Sequence, residues 1–135
     1  MEPIEIINQK QPELKTEDIK ILHLNLKKKW FDLIDKGIKK EEYRELKPYW
    51  EKRLIDYKAL KDNYQAIFLK RYMSGIWTDV CKAFPKGYTH VLIRYGYTKQ
   101  FIIFTIGEIK FGIGNPDWGA PSDYVFIITF DRRLT

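Results

Sequence analysis

The sequence predicts an α+β fold, a small mixed or antiparallel β-barrel of five or six strands with two flanking helices. Two helical patterns occur early in the chain, and the strand patterns of the second half follow one another too closely for βαβ crossovers. The strands are short and numerous, which favours a closed or half-open barrel over a flat sheet. The chain has 135 residues, 44% of them apolar, which suits a single folded globular domain.

The start of the chain has a different character from the rest. Residues 1–18 are polar, contain Pro3 and Pro12, and show no sustained periodicity. We interpret them as a loose N-terminal arm with at most a short extended piece at Ile4–Ile7. Residues 19–135 then form the single predicted domain.

The first core elements have clear periods. In ILHLNL, residues 21–26, leucines alternate with other residues, which is the pattern of a strand with one buried face. The following KKKWFDLIDKG places Trp30, Leu33 and Ile34 three and four residues apart, which predicts a helix. Gly37 supplies the left-handed residue that ends this helix.

The remaining elements follow from turn residues and alternation. Pro48 fits the first turn of a second helix that we expect to run to about Tyr57, with Trp50 and Leu54 on its apolar face. Four later segments are typical of strands: YQAIFLKRY, THVLIRYGY, QFIIFTIGEIKFG and DYVFIITF. Two irregular loops separate them, MSGIWTDVCKAFPKG and GIGNPDWGAP.

The composition restricts the functional classes. A formal net charge of +6 is a mild excess for this length and is compatible with a polyanionic partner. The single cysteine, Cys81, and two histidines without ligand spacing, His23 and His90, lead us to expect no disulfide framework, no metal and no cofactor. No segment has the apolar length of a signal peptide or of a membrane span, so we expect a cytoplasmic protein without a membrane partner.

The segment GIKKEEYR is the most distinctive motif of the chain. If it is extended, Lys40, Glu42 and Arg44 point to one face, with Glu42 roughly 6 to 7 Å along the strand from each cation. From spacing alone, a solvated ion-pair ladder on a surface strand is favoured. The functional alternative is a cleft wall, in which the carboxylate accepts hydrogen bonds from a base and the cations neutralise a phosphate.

The order of these elements resembles a known family. A strand ILHLNL, a helix ending in LIDKG and the K-x-x-E-x-R pattern of GIKKEEYR are similar to the ASCH (activating signal cointegrator homology) domains of the PUA-like superfamily. The similarity covers about Leu22 to Leu54 and, more weakly, RYGY and IGNPDWGAP. It implies a small β-barrel with helices beside it and a cleft that binds RNA or another nucleic acid.

The resemblance also suggests residue roles. Some ASCH-like proteins are amidohydrolases that remove an acyl group from a modified cytidine with a Lys, a Thr and a Glu. Lys39 falls at the family's lysine and Arg44 at its arginine, whereas Glu42 stands at the threonine position and departs from the hydrolase pattern. Glu108 is the candidate for the later carboxylate, and a solvent-facing strand residue is the favoured interpretation of it.

Aromatic residues add candidates for base contacts. Trp118 lies in a loop, where stacking on a base and capping the barrel are equally compatible with the sequence. Arg94 and Tyr95 form a basic and aromatic strand end that suits a nucleobase cleft, although core packing of the tyrosine is the simpler interpretation. Trp30 and Trp50 lie on apolar helical stripes and are predicted to be core.

Our leading expectation is a binding module for RNA or a modified nucleotide. Its contacts would be the seven residues Lys39, Lys40, Glu42, Arg44, Arg94, Tyr95 and Trp118. The alternative is an enzyme, either an amidohydrolase on an acylated nucleoside or a ribonuclease, with Lys39 and Glu42 in its site and Glu108 as a partner. A protein-interaction domain with a structural charged motif is the third class, and the sequence identifies no protein partner.

Overall fold

The computed structural model describes residues 1–56 and 87–135 of the chain. In these ranges the elements are α1 (Pro3–Lys10), β1 (Ile21–Leu26), α2 (Lys28–Asp35), β2 (Glu41–Arg44), α3 (Pro48–Leu54), β3 (His90–Tyr95), β4 (Phe101–Ile113) and β5 (Tyr124–Arg133), with short 3-10 helices at Thr16–Asp18 and Pro116–Trp118. The predicted strand YQAIFLKRY, the loop from Met73 to Lys86 and the predicted helix end at Tyr57 lie outside the described residues.

The strands are hydrogen-bonded in the order β1-β3-β4-β5-β2. The β1–β3 pair is parallel, whereas β3–β4 and β2–β5 are antiparallel. The predicted α+β class, with a mixed sheet of five strands and accompanying helices, is therefore confirmed over these residues.

The chain forms two compact units. Unit 1 contains Met1–Lys40, Tyr88–Gly107 and Phe130–Thr135, and unit 2 contains Glu41–Gly87 and Glu108–Thr129. The long strands β4 and β5 contribute residues to both units.

The N-terminal residues of unit 1 are helical, so the extended piece predicted at Ile4–Ile7 is wrong. Pro3 begins α1, where its missing N–H costs no hydrogen bond, and Lys10 in the last turn complements the helix dipole. Ile7 is fully buried and packs with Leu92, Ile103 and Leu134 in the core of unit 1. This apolar contact fixes a helix of eight residues, which is too short to be stable by propensity alone.

Strand β1 and helix α2 form as predicted, but α2 buries a different aromatic residue from the predicted one. Leu22, Leu24 and Leu26 of β1 are buried while His23 and Asn25 are exposed. In α2 the buried residues are Phe31 and Ile34. Ile34 is thus buried as the predicted stripe requires, but Trp30 is only half-buried, and its assignment to the core is wrong because Phe31 takes that place.

Helix α2 ends at a glycine for a geometric reason. Gly37 has a φ of 75°, a left-handed conformation that favours glycine. Its N–H donates to the Ile34 carbonyl at 3.0 Å, and the Ile38 N–H donates to the Leu33 carbonyl at 2.9 Å. This is a Schellman motif, and it sets the direction in which the charged segment leaves the helix.

A buried histidine joins α1 to β3 in unit 1. His90 Nδ1 lies 2.7 Å from Thr89 Oγ1, and its Nε2 lies 2.6 Å from Gln11 Oε1 just after α1. Burial lowers the pKa of His90 below its ordinary value of 6.5. The neutral ring is thus the form that this site favours.

Unit 2 is organised around the pair of β2 and β5, in which Tyr43 lies opposite Ile127. Tyr43, Val125 and Ile127 form its apolar cluster, against which Trp118 and Ala120 pack. Strand β5 continues three residues beyond the predicted segment, to Arg133. Over the two described ranges, no helix has the length and apolar character required to cross a membrane.

Candidate functional site

The charged segment is shorter as a strand than predicted. Only Glu41–Arg44 forms β2, whereas the predicted strand begins at Ile38. The Lys39 N–H donates to the Leu33 carbonyl at 3.0 Å, so this part of the chain is hydrogen-bonded to the end of α2. Lys39 and Lys40 consequently belong to unit 1, and the strand residues belong to unit 2.

In unit 1, Lys39 is a buried cation. It is 2% exposed, and its Nζ lies 4.8 Å from the centroid of the Trp30 ring. Lys29 Nζ lies 4.7 Å from the same ring, so Trp30 contacts two ammonium groups. An aromatic face attracts cations through its quadrupole, which explains why this ring accompanies charged side chains. Lys40, by contrast, is exposed.

In unit 2, Glu42 and Arg44 form an ion pair that is largely shielded from water. Arg44 Nη1 lies 3.2 Å from Glu42 Oε2, and Glu42 is 4% exposed. Their contact confirms that they share one face of the strand. The interpretation of Lys40, Glu42 and Arg44 as a solvated surface ladder is wrong for Glu42, because this residue is buried.

Additional contacts fix the orientation of both charged groups. Glu42 Oε1 accepts a hydrogen bond from the Tyr43 N–H at 2.8 Å. Arg44 Nη1 donates to the Tyr43 carbonyl at 2.9 Å, and its guanidinium lies 5.0 Å from the centroid of the Trp50 ring. Trp50 is half-buried, so the prediction that it is a core residue is wrong, and its contact with Arg44 could not be anticipated from the six-residue separation.

Tyr43 points to the opposite face of β2 and anchors it. Its hydroxyl accepts a hydrogen bond from the Asn115 N–H at 3.0 Å, and burial is the main reason that its pKa is raised far above the ordinary value of 10.0. A Cβ on Gly114 would overlap the Tyr43 ring. The close approach therefore requires glycine at this position, and it fixes the strand that carries Glu42 and Arg44.

The other unit 2 candidates have different surroundings. Trp118 packs on the cluster that contains Tyr43, which places it on the face of β2 opposite to Glu42 and Arg44. Asn115 sets the turn before Trp118, because its side chain accepts the Asp117 N–H at 2.9 Å. Glu108 is exposed on β4, as the interpretation of a solvent-facing strand residue predicts.

Arg94 and Tyr95 lie at the end of β3 in unit 1. Arg94 Nη1 donates to the Thr98 carbonyl at 3.0 Å, and its guanidinium lies 5.4 Å from the Phe101 ring. The ring of Tyr95 lies 6.0 Å from that of Phe31 and tilts by 39°, so it packs partly on the core as the simpler interpretation predicts. Both residues are half-buried.

No group of three or more histidine, cysteine, aspartate or glutamate side chains that could hold a metal ion occurs in the part of the chain that the structure describes. Comparison of the chain with protein-family models, with curated proteins and with solved structures gives no match.

Proposed function

We propose that the protein is a PUA-like ASCH module, including the small β-barrel of that fold, and that it binds RNA or a modified nucleotide through its charged segment. The observation that carries the proposal is the buried Glu42–Arg44 ion pair of β2, at the positions of the K-x-x-E-x-R pattern. Buried ionisable groups that have a specific charge partner are candidates for functional sites.

The energetics support a role other than stability. Removing two charges from water costs several kcal/mol per ion, and the Coulomb attraction between them repays this cost only with excellent geometry. A buried ion pair is thus a poor way to stabilise a strand. It is, however, a good way to hold a carboxylate and a guanidinium in fixed orientations for a ligand.

The two side chains suit different parts of a nucleotide. Arg44 is the more exposed of the pair, and its guanidinium is already fixed by Trp50 and by the Tyr43 carbonyl. A planar guanidinium recognises a phosphate bidentately, and a carboxylate accepts hydrogen bonds from a base amino group. Arg44 would therefore bind phosphate, and Glu42 would recognise the base edge.

The lysines of the motif are predicted phosphate contacts of unit 1. Lys40 is exposed, and its contribution would be a salt-sensitive one through counterion release. Lys39 is held against Trp30, and a buried lysine is also a residue type that enzymes use as a base. Its presence is the reason to retain an amidohydrolase, or a ribonuclease, as the second candidate function.

The test is fluorescence anisotropy with labelled single-stranded RNA, duplex RNA and duplex DNA at two salt concentrations. We expect binding to RNA, with a slope of log K against log salt of roughly −0.7 per phosphate contact on a single strand. Arg44→Ala and Glu42→Gln should weaken binding at least about tenfold, whereas the exposed control Arg132→Ala should change it little. Circular dichroism verifies that each variant is folded.

The outcomes separate the candidates. Binding by the wild type that survives both substitutions would remove β2 from the site. If the wild type binds none of the three polymers, nucleic-acid polymer binding is excluded, and hydrolysis of acylated nucleosides becomes the next measurement. Hydrolysis of such a nucleoside that is abolished by Lys39→Ala would replace the binding module by the enzyme.

A further inference from the structure

A second charged surface lies entirely within unit 1, where the end of β1 meets the β3–β4 hairpin. The parallel pairing places Leu26 opposite Tyr95, and the Gly96 N–H donates to the Leu26 carbonyl at 2.8 Å. The three lysines that follow Leu26 therefore lie beside the hairpin turn. We call this region the basic hairpin surface, and it consists of Lys27, Lys28, Lys29, Arg94, Tyr97 and Lys99.

The surface has a strong excess of positive charge. Residues 27–32 and 94–100 contain five cations and a single carboxylate, Asp32, which pairs with Lys28 at 2.6 Å. All four lysines are exposed. The first turn of α2 has no acidic residue, and cations there oppose the helix dipole, so the dipole does not account for the three consecutive lysines.

An aromatic ring projects from the same surface. Tyr97, at the hairpin turn, is 97% exposed. Hydrogen bonds fix the turn that carries Tyr97. The Thr98 hydroxyl donates to the Tyr95 carbonyl at 2.7 Å, and the Tyr95 N–H donates to the Gln100 carbonyl at 3.0 Å. The Arg94 guanidinium also donates to the Thr98 carbonyl. The turn thus presents Tyr97 to solvent on a closed, hydrogen-bonded loop.

We propose that the basic hairpin surface binds the backbone of a single-stranded nucleic acid, with the lysines on phosphates and Tyr97 stacked on an unpaired base. Clustered cations alone fit any polyanion, but an exposed ring beside them selects a strand whose bases are free to stack. The proposal goes beyond the nucleotide site of β2, because none of its six residues belongs to unit 2.

The experiment measures binding of a labelled twelve-nucleotide oligo-U RNA to the full chain by fluorescence anisotropy. The variants are Lys27→Ala with Lys29→Ala, Tyr97→Ala and Tyr97→Phe. A matched control removes two exposed lysines elsewhere in unit 1, Lys10→Ala with Lys15→Ala.

The double lysine variant should weaken binding about tenfold and reduce the magnitude of the salt slope by about 1.4, or roughly 0.7 for each lost phosphate contact. Tyr97→Ala should weaken binding between about fivefold and a hundredfold, whereas Tyr97→Phe should retain it, since stacking requires only the ring. The same Tyr97→Ala change should leave binding to a duplex RNA of equal length unaltered.

Three results would overturn the inference. One is wild-type affinity in both the lysine and the Tyr97→Ala variants, and another is an equal loss in the Lys10 and Lys15 control. The third is binding to vesicles that contain phosphatidylserine without binding to oligo-U, which would make the surface a membrane contact. A parallel titration of the Arg44→Ala variant with the same oligo-U distinguishes this surface from the site on β2. Loss of affinity in the lysine and Tyr97 variants but not in Arg44→Ala would assign binding to the basic hairpin surface alone, and the reverse result would assign it to β2 alone.

Discussion

The two units each contain an arginine–carboxylate ion pair, and the pairs differ more in burial than in distance. In unit 1, Arg133 and Asp35 are 2.7 Å apart, and their side chains are 41% and 48% exposed. In unit 2, Arg44 and Glu42 are 3.2 Å apart, and their side chains are 16% and 5% exposed. The longer contact has the larger energetic consequence, because water screens the first pair and is largely absent from the second.

The difference in burial distinguishes an ion pair on the surface from one that belongs to the candidate site. An exposed pair contributes little and tolerates substitution, whereas a buried pair constrains the fold around it.

The largest effect is expected for Glu42→Ala, which leaves the partly buried Arg44 without this carboxylate. Breaking a buried pair from one side costs about 3 to 5 kcal/mol of unfolding free energy. Urea denaturation measures the loss, and Glu42→Gln should cost less because it keeps an acceptor for the Tyr43 N–H. A loss below about 1 kcal/mol would show that the pair behaves as an exposed one.

The next effect concerns the packing that holds β2 on its other face. In Gly114→Ala the new methyl would overlap the Tyr43 ring and lie 2.7 Å from the Ala120 Cβ, so the strand or the loop must shift. We expect a loss of about 1 to 3 kcal/mol from overpacking.

Gly112→Ala is the matched control for that substitution, because its methyl would lie 3.6 Å from Ile127 Cδ1, an ordinary contact. Denaturation midpoints of the two variants should therefore separate clearly. Equal midpoints would contradict the close packing of Tyr43 on Gly114.

His90 is a buried polar residue of unit 1, and its burial should make the stability of the protein depend on pH. Its pKa is lowered on folding, so the native state binds fewer protons than the unfolded chain at mildly acidic pH. The contribution of His90 to the free energy of unfolding is therefore fully present above about pH 6.5. Stability then falls as the pH drops below 6.5 towards the folded pKa, by at most about 1.4 kcal/mol per pH unit for one histidine.

The measurement compares urea midpoints at pH 7.5 and pH 5.5 for the wild type and His90→Gln. The pKa of His23 is lowered as well, first by the partial desolvation of its ring on the exposed face of β1 and then by Arg94, so part of the pH dependence should remain in the variant. Identical pH dependence in both proteins would exclude His90 as a contributor.

The smallest effect is expected for the exposed pair. Asp35→Ala removes the carboxylate from Arg133, which still donates to the Asp35 carbonyl at 2.8 Å. The loss should be about 0.2 to 1 kcal/mol and should shrink at high salt. A loss as large as that of Glu42→Ala would remove the distinction between the two pairs.

The sequence predicted those parts of the fold that local physics determines. Alternation specified β1, β3 and β4, and the left-handed requirement at Gly37 specified the end of α2. Trp30 was assigned to the core in place of Phe31 because the two residues are adjacent and both apolar, and only the core determines which of them enters it.

The candidate site was less accessible to prediction, for a different physical reason. Lysine and glutamate in a row are typical of a solvated strand, and nothing local signals that Lys39 and Glu42 are buried. The contacts of Lys39 with Trp30 and of Arg44 with Trp50 arise from tertiary structure. The helix at Pro3–Lys10 was missed because it lacks a capping side chain and depends on the burial of Ile7.

The most direct test of the central claim is the affinity of Arg44→Lys for single-stranded RNA, measured by anisotropy beside Arg132→Lys. Both changes keep the positive charge, but lysine cannot reproduce the bidentate geometry of a guanidinium. The account predicts at least about tenfold weaker binding for Arg44→Lys with the fold retained, and unchanged binding for Arg132→Lys. Wild-type affinity in a folded Arg44→Lys variant would contradict the claim that the buried pair of β2 binds the ligand.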